Sequence, residues 1–295
     1  MANTRRIGRF NVSPIGMGAT PLSSGKSAPP SRELAIATVH AALDAGITLI
    51  DTADIHGPTW ETKGLNESIV AEALRTHPNG TAGVVVATKG GITRGPGEQM
   101  GRDGSAAYLR RAAEQSMLRL GVDRLDLYYW HRPDRSRPYA EGVEALAGMK
   151  ADGLIAEIGI SNVNVEEIQV AIDVLGEGGL AAVQNQLSPR FNHTSKLELD
   201  FCAEHGVAFV AWSPLGGSRG DGASAARQRP VITEVVARHH GISPQRVILA
   251  WELALGDHVI PIPGASRPAT IIDSARAMSL TLDPQDLRRL NEELL

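Results

Sequence analysis

Short apolar, β-branched runs alternate along the chain with longer segments whose apolar residues recur at helical spacing. Eight runs occur, at residues 14–19, 48–53, 83–90, 124–131, 155–162, 181–188, 207–215 and 259–266. Amphipathic segments at 31–45, 67–76, 105–120, 139–151, 165–175, 195–205 and 230–240 separate them, and 267–278 follows the last. Strand alternating with helix predicts parallel strands joined by crossovers. Continuous apolarity, as over 84–87, predicts strands covered on both faces. Gly46, Gly121, Gly153, Gly206 and Gly241 recur where a helical segment ends, a position that favours the left-handed conformation. Ser243 followed by Pro244 reads as an N-cap and first-turn proline, predicting an additional helix over 244–255 before the eighth strand. Residues 5–14 predict a short N-terminal hairpin, turning near residues 10–11, that could plug the base of a barrel.

The pattern predicts a (β/α)8 TIM barrel forming a single domain over residues 1–295. An open doubly wound sheet would want Gly-x-Gly-x-x-Gly straight after a strand, and neither the Gly57 loop nor Gly90-Gly91 has that spacing. Three long polar or Gly-rich loops, 58–66, 91–103 and 216–229, all follow strands. They would share the C-terminal face, where barrel enzymes keep their chemistry.

Composition removes several classes of partner. The formal net charge is −4, and no basic run is present to track a phosphate backbone, so nucleic acid is not expected. No stretch is long and apolar enough for a membrane span, and residues 1–8 lack an apolar segment behind their charges, so no secretory signal is expected. The single Cys202 cannot form an internal disulfide, which fits a cytoplasmic location, and a buried inert thiol is expected there. No metal site is expected, and oligomeric state is not readable.

Three polar residues end apolar strands. Asp51 closes 47–50, Lys89 closes 84–88 and His131 closes 127–130. A charge at so apolar a position is costly unless paired. The economical reading has Asp51 and Lys89 as an ion pair with His131 beside them.

These residues sit in recognisable strings. Asp51-Thr52-Ala53-x-x-x-Gly57, Ala87-Thr88-Lys89-Gly90, and Ser116-x-x-Arg119-Leu120-Gly121-x-Asp123-x-x-Asp126-Leu127 running to His131 resemble the aldo-keto reductase family. So do Ile158-Gly159-Ile160-Ser161-Asn162, Val183-Gln184-Asn185, Ser213-Pro214-Leu215-Gly216 and Ile260-Pro261-Ile262-Pro263-Gly264-Ala265. The likeness runs in order along essentially the whole chain. It implies hydride transfer from a reduced nicotinamide to the carbonyl carbon of a small aldehyde or ketone. By resemblance, Asp51 holds Lys89, Lys89 tunes the proton donor, and His131 orients the carbonyl and stabilises charge on its oxygen.

The sequence departs from the family at the donor. A tyrosine should stand five residues after Asp51, and His56 stands there instead. Three outcomes stay open. His56 donates the proton, directly or through a water; a reshaped pocket uses a different group or runs a different reaction; or reduction is lost while cofactor binding remains. The corresponding alternatives are a redox-neutral NADP-dependent enzyme of epimerase or elimination type, and a non-catalytic nicotinamide-binding module.

The resemblance also implies an NADP(H) site. Ser161, Asn162 and Gln184 would hold the carboxamide, which needs both donors and acceptors. Trp212 would stack on the ring. Ser213, Leu215 and Gly217 would line the pyrophosphate, with Arg219 approaching it. Gly264, Ser266 and Arg267 would meet the adenosine end at a helix start near Pro268, with Arg267 favouring NADPH over NADH. Trp60 and Tyr108 are candidate pocket residues, with packing the expected role of each.

Overall fold

The computed structural model describes residues 4–24, 28–191, 195–217, 229–239 and 242–295. Its centre is an eight-stranded parallel sheet of β3 (Met17–Gly18), β4 (Leu49–Asp51), β5 (Val85–Gly90), β8 (Leu125–Trp130), β9 (Ile155–Ser161), β10 (Leu180–Gln186), β11 (Ala208–Trp212) and β12 (Val259–Ile262). Strands pair in that order, and the ring closes where Gly18 bridges Gly264. Gly16 and Gly18 also donate to Pro261 and Pro263 carbonyls at 3.0 and 3.1 Å. A side chain on Gly18 would lie 2.8 Å from the Ile262 carbonyl, so glycine permits the seam. The arrangement is the (β/α)8 barrel expected from the alternating pattern.

Helices α1 (Arg32–Asp44), α2 (Leu65–Thr76), α3 (Ala106–Leu120), α4 (Tyr139–Ala151), α5 (Val165–Leu175) and α6 (Lys196–Glu204) lie among these strands in chain order. Their ends follow capping chemistry. Ser31 and Ser105 accept from the N–H three residues on, Asn164 and Glu167 form a reciprocal capping box, and Gly121 ends α3 at φ +70°. After β11 come α7 (Pro230–Arg238) and α8 (Pro244–Ala254), the second being the expected additional helix capped by Ser243. Then β12 leads to α9 (Pro268–Ala275) and α10 (Pro284–Leu294).

Leu49, Val85, Leu127, Tyr129, Val210 and Ile260 fill the barrel interior, and Ile7 and Val12 of the N-terminal hairpin join the same cluster. The hairpin is β1 (Arg5–Ile7) paired with β2 (Phe10–Val12). Its turn lies at Gly8 and Arg9, not at residues 10–11 as the sequence suggested. Gly8 has φ +53°, and a side chain there would strike the Glu157 carboxyl at 2.6 Å. Glu157 accepts from the Arg9 backbone and from Lys150, at 3.0 and 2.8 Å, and so fixes the turn two residues earlier. Arg5 is buried and donates to the Leu253, Gly256 and Val259 carbonyls, tying the hairpin to the start of β12.

Two further differences concern loops and the C-terminus. Residues 91–103 form an antiparallel hairpin, β6 (Ile92–Gly95) and β7 (Gln99–Arg102), where a loop was expected. Helix α10 was not foreseen. Among its residues Asp286, Leu290 and Leu294 are buried, too few apolar positions to stand out in so charged a segment. No helix among the described residues is long and apolar enough to cross a membrane.

Candidate active site

The C-terminal ends of β4 and β5 place Asp51 and Lys89 in contact. Lys89 Nζ lies 2.6 Å from Asp51 Oδ1 and donates to the Thr52 carbonyl at 2.7 Å. Both side chains are about as hidden as core leucines, with Lys89 2% exposed. Gln184 on β10 donates to the other Asp51 oxygen at 2.8 Å. Both carboxylate oxygens are therefore committed, and the carboxylate opposes the desolvation that pulls the Lys89 pKa below its ordinary value. The Tyr129 ring lies below, its centroid 5.6 Å from the ammonium.

Two imidazoles stand above this pair. The rings of His56 and His131 meet edge to face with centroids 6.0 Å apart. His131 follows β8, and its backbone is pinned on both sides. Its N–H donates to Gly90 at 2.8 Å, and its carbonyl accepts from Asn162 Nδ2 at 3.0 Å. Its Nδ1 is buried without a partner. Burial, then the charge of Lys89, holds His131 well below the ordinary histidine range, and His56 and Arg132 add to the effect. His56 falls to about 3 through burial, then Lys89, then Arg94. Both residues are half-buried. Both are neutral at physiological pH.

Thr20, just beyond β3, contacts the His56 ring, its Oγ1 3.3 Å from Nδ1, and Ser23 donates to the His56 carbonyl at 3.3 Å. Sequence reasoning missed both, although a threonine following the first apolar run was the available signal. It also missed Arg94. From β6 this guanidinium donates to the carbonyls of Ile55, Gly57 and Pro58 at 3.3, 2.8 and 3.0 Å. It pairs with Glu98 at 2.5 Å, and Glu98 accepts from the Trp60 N–H at 2.9 Å. The β6–β7 hairpin thus clamps the loop that carries His56.

A second charged layer lies behind the site. Asp54 is fully buried beside Lys63 at 2.9 Å, and its carboxyl is pushed up to about 6 by burial, with Lys63 opposing. Glu67, also fully buried, accepts from Thr88 and Arg119, each at 2.6 Å. Tyr108 donates to the Ile92 carbonyl at 3.1 Å and receives Lys63, which makes it part of this layer's packing.

The residues expected around a dinucleotide lie along β9–β12. Ser161 Oγ donates to the Gln184 carbonyl at 2.7 Å, and Asn162 Nδ2 donates to Ser161 Oγ at 2.9 Å. Asn162 and Ser213 both carry left-handed backbones, at φ +60° and +53°, costly for non-glycine residues and concentrated at functional strand ends. Trp212 is half-buried and its Nε1 is buried without a partner. Leu215 is half-buried and packs against neighbouring helices. Gly216 and Gly217 follow at φ +93° and +66°. Gly264 and Arg267 are exposed and Ser266 half-buried, with Arg267 at the start of α9. The Gln184 amide nitrogen also donates to Asp51. Arg219 lies outside the described residues. Cys202 is buried, its thiol pushed up to about 12 by burial, as an inert core thiol would be.

Comparison with known proteins agrees with this architecture. The model of the aldo/keto reductase family matches residues 14–294. The chain is 36% identical over 280 residues to a 6-dehydroglucose reductase of Novosphingobium aromaticivorans, covering 93% of this chain and 89% of that one. It is 31% identical over 295 residues to an uncharacterized oxidoreductase of Schizosaccharomyces pombe, covering 99% and 90%. Among solved structures, a glycerol dehydrogenase from Gluconobacter oxydans superposes with a TM-score of 0.84 at 26% identity, covering 99% of this chain and 95% of that one. An aldo/keto reductase from Klebsiella pneumoniae, in complex with NADP and acetate, gives 0.77 at 27% identity, covering 100% and 96%. With a family match over nearly its full length and a barrel that carries an Asp51–Lys89 pair at its C-terminal face, the chain belongs to the aldo/keto reductase family, an NADP-linked family of oxidoreductases.

Proposed function

We propose that this protein reduces the carbonyl group of a small aldehyde or ketone to an alcohol with NADPH, with His56 in the place of the family's usual tyrosine. The observation that carries this reading is the buried Lys89–Asp51 pair, 2.6 Å apart, whose charge acts on two neutral imidazoles that meet edge to face. A neutral imidazole is a poor acid by itself, so Lys89 supplies the acidity. Its ammonium is desolvated, which makes it readier to release a proton than a surface lysine. In this reading His56 hands a proton to the developing alkoxide from one ring nitrogen and receives one from the Lys89 ammonium at the other, directly or through one water. Lys89 is left neutral beside Asp51 and is reprotonated from solvent. His131, as the Nε2–H tautomer, donates to the same carbonyl oxygen, acting as an oxyanion donor that stays neutral. Asp51 and Gln184 keep the ammonium in position.

The bound dinucleotide supplies the hydride. The residues present suit it chemically: Ser161 and Asn162 for the carboxamide, the half-exposed Trp212 ring for the nicotinamide face, and the backbone of Ser213, Leu215 and Gly217 for the pyrophosphate. Consecutive left-handed glycines leave no Cβ to bar an anion from the main chain. Gly264, Ser266 and Arg267 would take the adenosine, and an exposed guanidinium at the start of α9 suits a 2′-phosphate.

The test follows oxidation of NADPH and NADH with a panel of aldehydes, ketones and sugars, for the wild type and His56→Tyr. The wild type is expected to be slow on simple aldehydes and to prefer NADPH. His56→Tyr should be at least about 10-fold faster, because a phenol both reaches further and is the better acid. Equal, vigorous turnover by both would place His56 away from the carbonyl. Tight NADPH binding with no oxidation by either would contradict reduction.

A further inference from the structure

Asp51 gives its two oxygens to donors of different kinds. Oδ1 receives the Lys89 ammonium at 2.6 Å, and Oδ2 receives the neutral Gln184 amide at 2.8 Å. Asp51 is 4% exposed and Gln184 3%, so bulk water does not reach this contact. The strand end that carries Gln184 is fixed as well. Its main-chain carbonyl accepts from Ser161 Oγ at 2.7 Å and from the Asn162 N–H at 3.2 Å. Strands β9 and β11 flank it, pairing Gln184 with Ser161 and with Val210. The amide is therefore held against the carboxylate by the sheet itself, although the two residues lie 133 positions apart.

A buried carboxylate divides its charge among the donors that reach it. With Oδ1 alone engaged, all of that charge would favour the ammonium form of Lys89. A second donor on Oδ2 stabilises the carboxylate independently, and the positive end of its dipole points at the pair. Both effects loosen the proton on Lys89. We infer that Gln184 makes Lys89 the better proton donor, by taking up charge on Asp51 that would otherwise hold the ammonium proton more firmly. This inference rests on the reading of Lys89 as the source of the proton. Toward that proton Gln184 is a positioning residue, acting through Asp51. The other groups that bear on Lys89 keep their charges when Gln184 is replaced. Glu67 and Asp54 favour the ammonium from the layer behind and are themselves paired with Arg119 and Lys63. The Tyr129 ring faces it at 5.6 Å, and His56 and His131 are neutral.

The test reads Lys89 directly. The protein is labelled with ¹³C at the lysine Cε, and the Lys89 signal, assigned by its loss in Lys89→Met, is followed by NMR as pH is raised. Gln184→Met keeps the length of the side chain and removes the donor. Gln184→Asn keeps the amide but withdraws it by one methylene, and serves where the Met variant does not fold. In either variant the Lys89 midpoint should lie about one pH unit above that of the wild type. The alkaline limb of the single-turnover rate with NADPH and an aldehyde should move up with it. The rate on the plateau should fall by about threefold, because the acid has become weaker. Loss of packing alone would lower the melting temperature and the rate and leave both midpoints where they were. A Lys89 midpoint that is unchanged or lower in a folded variant overturns the inference, whether or not the rate has fallen. The two readings fail separately. A raised midpoint in a protein that reduces no aldehyde supports the role of Gln184 and contradicts the reductase reading. Brisk reduction with an unmoved midpoint does the reverse.

Discussion

Lys89 is 2% exposed and still carries an ammonium because Asp51 and the Thr52 carbonyl receive it. The imidazoles lose their charge first to their own burial, and the Lys89 charge adds to it. This coupling has a consequence for stability. His56 has a folded pKa of about 3, against about 6.5 when exposed. Between those values the unfolded chain binds the extra proton, so stability is lost as pH falls. A difference of one proton caps the slope at about 1.4 kcal/mol per pH unit, and the partial exposure of the ring lowers it. His131 acts in the same direction. Asp54 opposes them: with a folded pKa of about 6, its contribution is full below about pH 3.8 and is lost as pH rises through 6. Urea unfolding of His56→Leu from pH 6.5 to 4.5 should therefore show a flatter decline than the wild type, by up to one proton's worth. Identical slopes would mean that His56 is free to charge in the folded state. At this scale the sequence was informative where a charge ended an apolar strand, as at Asp51 and Lys89. It was silent on the partner of Gln184, because the Asp51 contact joins residues 133 positions apart across the barrel.

The β6–β7 hairpin does for the His56 loop what Asp51 does for Lys89. Arg94 satisfies three carbonyls of that loop, which would otherwise be free to rearrange, and Glu98 holds Arg94 in turn. Replacing Arg94 with Met removes both the clamp and one of the charges that depress His56. The His56 imidazole, followed by NMR titration, should then move upward, and kcat should fall by about 10-fold or more as the ring loses its fixed position. An unmoved titration with unchanged kcat would show that the loop holds itself. The hairpin was not legible because each face offers little apolar signal. All four residues of β7 are exposed, and Gly95-Pro96-Gly97 reads as loop. Thr20 was hidden for a related reason: the polar residue follows a strand of only two residues. Helices with a serine or asparagine cap, and the Ser243-Pro244 start of α8, were readable because the cap chemistry is local.

Across the whole molecule, seven crossovers bring strand ends from residues 51, 89 and 131 to one face, while the N-terminal hairpin closes the other through Ile7, Val12 and Arg5. The barrel followed from periodicity because each buried strand and each helical segment carried its own apolar pattern. The hairpin turn did not, since its position depends on Glu157, far away in the chain. The proposed reduction requires Lys89 as the source of acidity for the two neutral imidazoles. Stopped-flow single turnover of Lys89→Met, preloaded with NADPH and mixed with an aldehyde that the wild type reduces, tests this directly, alongside the cofactor Kd. The expected result is a Kd within about threefold of wild type and a hydride-transfer rate lower by about 10³-fold or more. A variant that binds NADPH normally and reduces the aldehyde at the wild-type rate would contradict it.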